Sequence, residues 1–181
     1  MSRHGRLPGD PSPAADVARM IRVDHAGEYG ATRIYAGQLA VLRRSASAPL
    51  LQEMQQQERR HLDRFADLVI RRRVRPTAML PLWHLAGFAL GTATAVLGTR
   101  AAMACTAAVE EAIDAHYADQ IAALDDSEAE LRDTLDRTRD DERQHRDIAL
   151  QHGAEQAPGY RLMSAAIKAG CRLAIRISER I

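Results

Sequence analysis

Residues 14–44 read AADVARMIRVDHAGEYGATRIYAGQLAVLRR. Apolar residues return at helical spacing, and no alternation with period two runs through them. On a helix, Ile21, Tyr35, Leu39 and Leu42 fall within about 40° of Glu28. A carboxylate therefore occupies the middle of an apolar stripe. Unpaired there, it would shift its pKa or destabilise the fold. The same arrangement recurs downstream. Glu110 shares its face with Met103, Tyr117, Ile121 and Leu124, so each glutamate has a Tyr seven residues on.

Each glutamate is followed by a Glu-x-x-His pair. Glu58-Arg59-Arg60-His61 begins 30 residues after Glu28, and Glu142-Arg143-Gln144-His145 begins 32 residues after Glu110. Residues three apart on a helix project from one face, so each pair can grip a metal from one side. The two units are offset by 82 to 84 residues, which is an internal duplication of a helix pair. One Glu from each of two helices, with a Glu-x-x-His from each of two others, is the donor inventory of ferritin-like dinuclear carboxylate sites. Glu28, Glu58, His61, Glu110, Glu142 and His145 are accordingly the candidate metal ligands. Four carboxylates and two imidazoles, with no thiolate, suit two iron or manganese ions better than a structural zinc. They also balance two divalent cations in charge.

Four neighbours are candidates for tuning this site. Asp141 precedes the second pair and can hold a ligand imidazole by its free N–H. Asp24 lies one turn before Glu28, and His116 and Tyr117 follow Glu110. Glu111 points about 100° away from Glu110 and is not expected to be a ligand.

Breakers divide the rest of the chain. Residues 1–13 hold three prolines and two glycines and read as a flexible tail, followed by one helical domain over 14–181. Helices are expected over about 14–44, 49–72, 100–124, 127–152 and 160–181. Ser47 is expected to cap the second, and Ser127 with Glu130 to form a capping box for the fifth. Between the second and fourth, residues 76–99 carry no charge over 24 positions. That stretch can span a bilayer, lie in its interface or be buried in the bundle. In the last helix Arg161, Lys168, Arg172, Arg176 and Arg180 fall largely on one face, broadly opposite Leu162, Ala166, Leu173, Ile177 and Ile181. A basic amphipathic helix suits an anionic membrane surface. The expected fold is all-α: a ferritin-like four-helix bundle with an additional apolar segment and a C-terminal amphipathic helix.

The 181 residues suffice for one domain with a real core. A net charge of +1 offers no field for nucleic acid, which is not expected as a partner. Two cysteines make no disulfide framework. The N-terminus lacks the apolar run of a secretory signal.

Several motifs resemble those of the demethoxyubiquinone hydroxylases of ubiquinone biosynthesis. They are Ile21-Arg-Val-Asp-His-Ala-Gly-Glu-Tyr-Gly-Ala31, Arg33-Ile-Tyr-Ala-Gly37, Arg73-Val-Arg-Pro-Thr77, Pro81-Leu-Trp83 and Gly87-Phe-Ala-Leu-Gly91. Met103-Ala-Cys-Thr106, Val109-Glu-Glu111, Gly170-Cys-Arg172 and Ser178-Glu-Arg-Ile181 continue the series. The likeness covers residues 18–181. Thr32, where the family pattern has Asn, and the Arg-rich loop 71–73 depart from it. The resemblance implies a di-iron monooxygenase that hydroxylates the ring of a demethoxyubiquinol with O2. The family's six ligands fall on the six residues named above. It further implies two Fe ions per chain, NADH as electron donor, a polyprenyl quinol as substrate and peripheral attachment to a membrane. A homo-oligomer or a quinone-biosynthesis complex also follows from it, and eukaryotic members use a lipid-binding helper. No Gly-x-Gly-x-x-Gly motif for a dinucleotide occurs. The N-terminus favours the cytoplasmic face of a bacterial inner membrane over the mitochondrial one. Two other readings compete: a ferritin-like ferroxidase, and a non-catalytic lipid-binding helical module of a quinone-synthesis complex.

Overall fold

The computed structural model describes residues 12–181. Most of the expected tail therefore lies outside the described residues. Six α-helices follow: α1 (Pro13–Leu42), α2 (Ala48–Arg71), α3 (Leu80–Val96), α4 (Thr99–Ala123), α5 (Ala129–Gln151) and α6 (Tyr160–Ser178). Among the described residues there is no strand, and the protein is all-α as the periodicity predicts.

Ser12 caps α1: its backbone is extended and its hydroxyl accepts from the amide of Ala15 at 3.2 Å, with Pro13 opening the helix. Two other expected caps do not form. Ser47 already has helical angles (φ −88°, ψ −4°), so its hydroxyl cannot swing beneath the first turn, and it makes no cap bond. At α5 the work passes to Asp125, whose extended backbone lets its carboxylate accept from the Ser127 amide at 2.9 Å. Ser127 is drawn into a short 3-10 turn, Asp126–Glu128, and Glu130 turns away to pair with Arg71 at 2.5 Å. The Ser127–Glu130 capping box is thereby replaced.

Helices α1, α2, α4 and α5 form a bundle with two apolar layers. In one, Tyr35, Leu51, Met54, Met103 and Ala149 pack together. In the other, Ile21, Phe65, Leu68, Tyr117, Leu131 and Leu135 do so, with the rings of Phe65 and Tyr117 stacked at 6.2 Å. On every helix the candidate ligands fall between the residues of these two layers. Each fully buried Leu or Phe contributes about 1.5–3 kcal/mol, so the layers clamp the four helices on either side of the polar centre.

The other two helices lie outside this bundle, α3 on α1 and α6 on α4. The α1–α3 contact is backbone against backbone. A Cβ at Gly91 would overlap the carbonyl oxygen of Ile34, and one at Gly37 would overlap that of Phe88. Glycine is required at both positions because no side chain fits.

Helix α3 occupies most of the uncharged stretch and has 17 residues. Among the described residues, no helix is long and apolar enough to cross a membrane. One face of α3 packs on α1, while Leu85 and Val96 remain 68% and 69% exposed. The leucines on the apolar face of α6 stay exposed. Leu162 and Leu173 are 78% and 60% exposed, whereas Ser164, Ile167 and Ser178 are buried. The buried side is the one that packs on α4, where Ile167 meets Cys105, Ala108 and Val109, and at its end Ser178 accepts from the Trp83 indole of α3 at 3.0 Å.

Candidate metal centre

Six side chains converge between the two apolar layers, and all are at most 1% exposed. Glu28 and Glu110 come from the middles of α1 and α4, Glu58 and His61 from α2, and Glu142 and His145 from α5. Their donor atoms form two groups, each with all atoms within 4.8 Å of one another. One holds Glu28, Glu58, His61 and Glu142; the other holds Glu58, Glu110, Glu142 and His145. Glu58 and Glu142 belong to both. This is the layout of two adjacent cation positions with two shared carboxylates.

The imidazoles are oriented from behind. His61 Nε2–H donates to Asp141 Oδ2 at 2.9 Å, and His145 Nε2–H donates to Gln57 Oε1 at 2.5 Å. Both Nδ1 atoms therefore face the centre with free lone pairs. There His61 Nδ1 lies 3.1 Å from Glu142 Oε1 and 3.6 Å from Glu28 Oε2, and His145 Nδ1 lies 2.9 Å from Glu58 Oε1. The residue just before each Glu-x-x-His thus holds the histidine of the opposite pair.

The two tyrosines also act crosswise. Tyr35 on α1 donates to Glu110 Oε1 at 3.0 Å, and Tyr117 on α4 donates to Glu28 Oε1. Each fixes one oxygen of its glutamate. The second oxygens, Glu28 Oε2 and Glu110 Oε2, make no hydrogen bond, nor does either oxygen of Glu58 or Glu142 or the Nδ1 of either histidine. Buried polar atoms are rarely left so, and eight of them aimed at one small volume are donors without an acceptor.

Electrostatics agree. Burial raises Glu28, and burial with the charges of Glu142 and Glu58 raises Glu110 well above the carboxylate range. Burial and the Glu142 charge push Glu58 to about 8. Burial alone would raise Glu142 as well, but His145 and His61 outweigh it and hold Glu142 at about 2. Burial opposes charge on His145, yet Glu142 and Glu58 lift it to about 9. Four carboxylates so close cannot all ionise without cations between them. The donor set fits a pair of divalent ions.

Of the other candidates, Asp141 and Tyr117 touch the six. Tyr117 reaches Glu28 rather than its near neighbour Glu110. Asp24 and His116 form a separate cluster with Gln120 and do not contact the six. Glu111 is exposed and pairs with Lys168 at 2.9 Å. Sequence reasoning missed Tyr35 and Gln57 as site residues. The duplication held the signal, because Tyr35 plus 82 is Tyr117 and Gln57 plus 84 is Asp141.

Beside the centre, α1, α3, α4 and α6 enclose an apolar groove of about 510 Å³. Its walls include Gly27 and Val109, the chain neighbours of Glu28 and Glu110, together with Trp83, Leu90, Ile167 and Ile175.

A family model for ubiquinone biosynthesis protein COQ7 matches residues 15–178. The chain belongs to the COQ7 family. Among relatives of this family, the 3-demethoxyubiquinol 3-hydroxylase of Rhodospirillum rubrum is 59% identical over 177 residues, covering 97% of this chain and 84% of the relative. The human NADPH-dependent 3-demethoxyubiquinone 3-hydroxylase, mitochondrial, is 53% identical over 171 residues, covering 92% of this chain and 79% of the relative. The Saccharomyces cerevisiae 5-demethoxyubiquinone hydroxylase, mitochondrial, is 40% identical, covering 93% and 79%. Family membership and the buried carboxylate–histidine cluster thus meet in one COQ7-family chain.

Proposed function

We propose that this chain is a di-iron monooxygenase that hydroxylates the ring of a demethoxyubiquinol with dioxygen in ubiquinone biosynthesis. The observation that carries the reading is the pair of four-residue groups sharing Glu58 and Glu142, set against an apolar groove. The names of the relatives support the substrate class. Residues 14–181 act as one catalytic unit.

Glu28, Glu58, His61, Glu110, Glu142 and His145 hold the two iron ions. Bound there, the ions supply redox chemistry with dioxygen. The chain's own residues supply position and environment. Asp141 and Gln57 aim the two imidazoles, and Tyr117 and Tyr35 hold Glu28 and Glu110 to one rotamer each. The groove takes the polyprenyl tail, and the quinol ring approaches the centre between α1 and α4. The apolar layers exclude water from the reacting ring. Electrons come from a reduced nicotinamide nucleotide: NADH by the resemblance, while the human relative is named for NADPH.

We also place the chain peripherally on the cytoplasmic face of a bacterial inner membrane. Exposed Leu82, Leu85, Val96 and Leu97 on and after α3, with exposed Leu162, Leu173 and Arg172 on α6, support that docking. The remaining exposed faces leave room for a homo-oligomer or a quinone-synthesis complex.

The test is a product assay. Protein loaded anaerobically with ferrous iron receives a short-tailed demethoxyquinone, NADH and then oxygen-18 gas, and the quinone is read by mass spectrometry. One heavy oxygen in the ring is the expected result. Iron that oxidises while the quinone stays unchanged would overturn the reading in favour of a ferroxidase.

A further inference from the structure

The centre has two unlike sides. Glu28 and Glu110 come from α1 and α4, and their chain neighbours Gly27 and Val109 line the apolar groove. No residue of α2 or α5 lines that groove. Both histidines and the two shared carboxylates come from α2 and α5, on the opposite side. The backbones of α2 and α5 hardly approach each other there, and side chains close the seam between them.

That wall is thin. The Asp141 side chain is 36% exposed, yet its Oδ2 lies 2.9 Å from Nε2 of His61, whose side chain is 1% exposed. Asp141 Oδ1 makes no hydrogen bond among the described residues. The next step inward is equally short, because Nδ1 of the same ring lies 3.1 Å from Glu142 Oε1. A continuous line of donor atoms thus runs from solvent to a carboxylate shared by both groups. The His145 ring stands beside it, 6.4 Å from His61 between centroids, and its outer partner Gln57 is a half-buried neutral amide. A divalent cation sheds water only where oxygen or nitrogen replaces it. The two apolar layers and the groove offer it no carboxylate and no imidazole.

We propose that divalent cations load through the α2–α5 seam, with Asp141 as the first carboxylate they meet, so that ions and the apolar substrate enter from opposite sides. The port rests on the dinuclear reading of the centre, and its contrast with substrate entry rests on the hydroxylase reading. Asp141 captures the ion through Oδ1. His61 lets go of Oδ2 while Glu142 and Glu58 draw the ion inward, and it restores that bond once its Nδ1 is a ligand. Arg64 supplies the probe. It lies three residues after His61 and seven after Gln57 on α2, which puts it on the seam. It is exposed and forms no ion pair or hydrogen bond among the described residues, so its charge can be reversed without breaking a contact.

The test follows cobalt(II) entering the metal-free full chain by stopped flow, read from its visible absorption, at low cobalt where uptake is first order in the ion. Arg64→Glu should speed association about threefold to tenfold and leave dissociation unchanged. Asp141→Asn keeps an acceptor for His61 and should slow association by about tenfold. Both effects should shrink in about 1 M salt, where charges are screened beyond about 3 Å. Arg161→Glu makes the same change of charge on α6, beside the groove, and should leave both rates within about twofold. Equal acceleration by Arg64→Glu and Arg161→Glu would overturn the port. So would an Asp141→Asn chain that releases cobalt faster but takes it up at the same rate, since Asp141 would then only support His61. An unsubstituted chain that takes up no cobalt would overturn the centre and the port together. The expected pattern in a chain that hydroxylates no quinone would sink the functional reading alone and leave the port standing.

Discussion

The α1–α2 half and the α4–α5 half of the bundle are alike at the centre and unlike one shell out. Both present a glutamate, a Glu-x-x-His and a tyrosine that crosses to the other half. Beyond these the matching positions differ: Gln57 of the first half corresponds to Asp141 of the second, Asp24 to Thr106, and Ile34 to His116. Cation coordination demands the same donors twice. Imidazole support and helix docking are not bound by that demand, and there the copies diverge.

The largest effect separates shared from unshared carboxylates. Glu58→Ala removes a donor from both four-residue groups, whereas Glu28→Ala removes one from a single group. Glu58→Ala should bind neither ion, and Glu28→Ala should retain one. Glu110→Ala should likewise lose one ion and its activity together. Iron-to-protein ratios after anaerobic loading check this, and equal ratios for Glu58→Ala and Glu28→Ala would refute the sharing.

The shared pair also differs in charge. Without metal, Glu58 titrates near 8 and Glu142 near 2. A carboxylate whose pKa is raised on folding holds its proton more tightly in the native state, so stability falls as pH rises from the ordinary carboxylate range through the raised value. The stabilisation from His145 is likewise complete below its unfolded pKa of about 6.5 and fades as pH climbs through about 9. The depressed pKa of Glu142 acts only in acid, where its contribution is lost as pH falls towards about 2. The metal-free chain should therefore lose Tm steadily from about pH 5 to pH 9. Glu58→Gln should flatten the fall, and Glu142→Gln should flatten it too, because the Glu142 charge helps to raise Glu58 and His145. Cations displace these protons, so ion affinity should rise over the same range.

The outer helices repeat the contrast. Helix α3 lies on α1 through Gly37 and Gly91, where an added Cβ meets backbone, but Gly170 of α6 has nothing within 4 Å of such an atom. Gly91→Ala should destabilise the fold by about 1–3 kcal/mol through overpacking. Gly170→Ala should be neutral or stabilise by about 0.5–1 kcal/mol through helix propensity. Thermal melts of the two variants decide it. Equal melts would mean that α3 can move off α1 at no cost.

How much of this was legible differs by kind of interaction. The six donors were readable because an acid in an apolar stripe has few explanations, and the 82-to-84-residue offset supplied the pairing. The crossing of Tyr117 to Glu28 was not, because heptad spacing places a tyrosine on a helix face without saying which helix lies opposite. Gln57 was passed over because a half-buried amide beside a ligand carries no charge signal. The inward face of α6 was not legible, because hydrophobicity singles out Leu162 and Leu173, which stay exposed, whereas packing on α4 buries Ser164 and Ile167. The caps at Ser47 and Ser127 failed because a cap depends on the backbone angle at one residue, and neighbouring turns set that angle.

The smallest effect probes the two imidazole supports. Asp141 offers His61 a carboxylate, a charge-assisted partner that raises the basicity of Nδ1, whereas Gln57 offers His145 a neutral amide. Asp141→Ala should weaken ion binding on the His61 side by about 10- to 100-fold. Gln57→Ala should cost less, about twofold to tenfold, because a neutral hydrogen bond is roughly half as strong. The two positions of the unsubstituted centre should then fill in sequence, the His61 side first. Gln57→Glu gives His145 the partner that His61 already has, and it should bring the two affinities together. Anaerobic calorimetry with ferrous iron reads this as two steps merging into one. Two steps that persist unchanged in Gln57→Glu would show that the inequality does not come from the histidine supports.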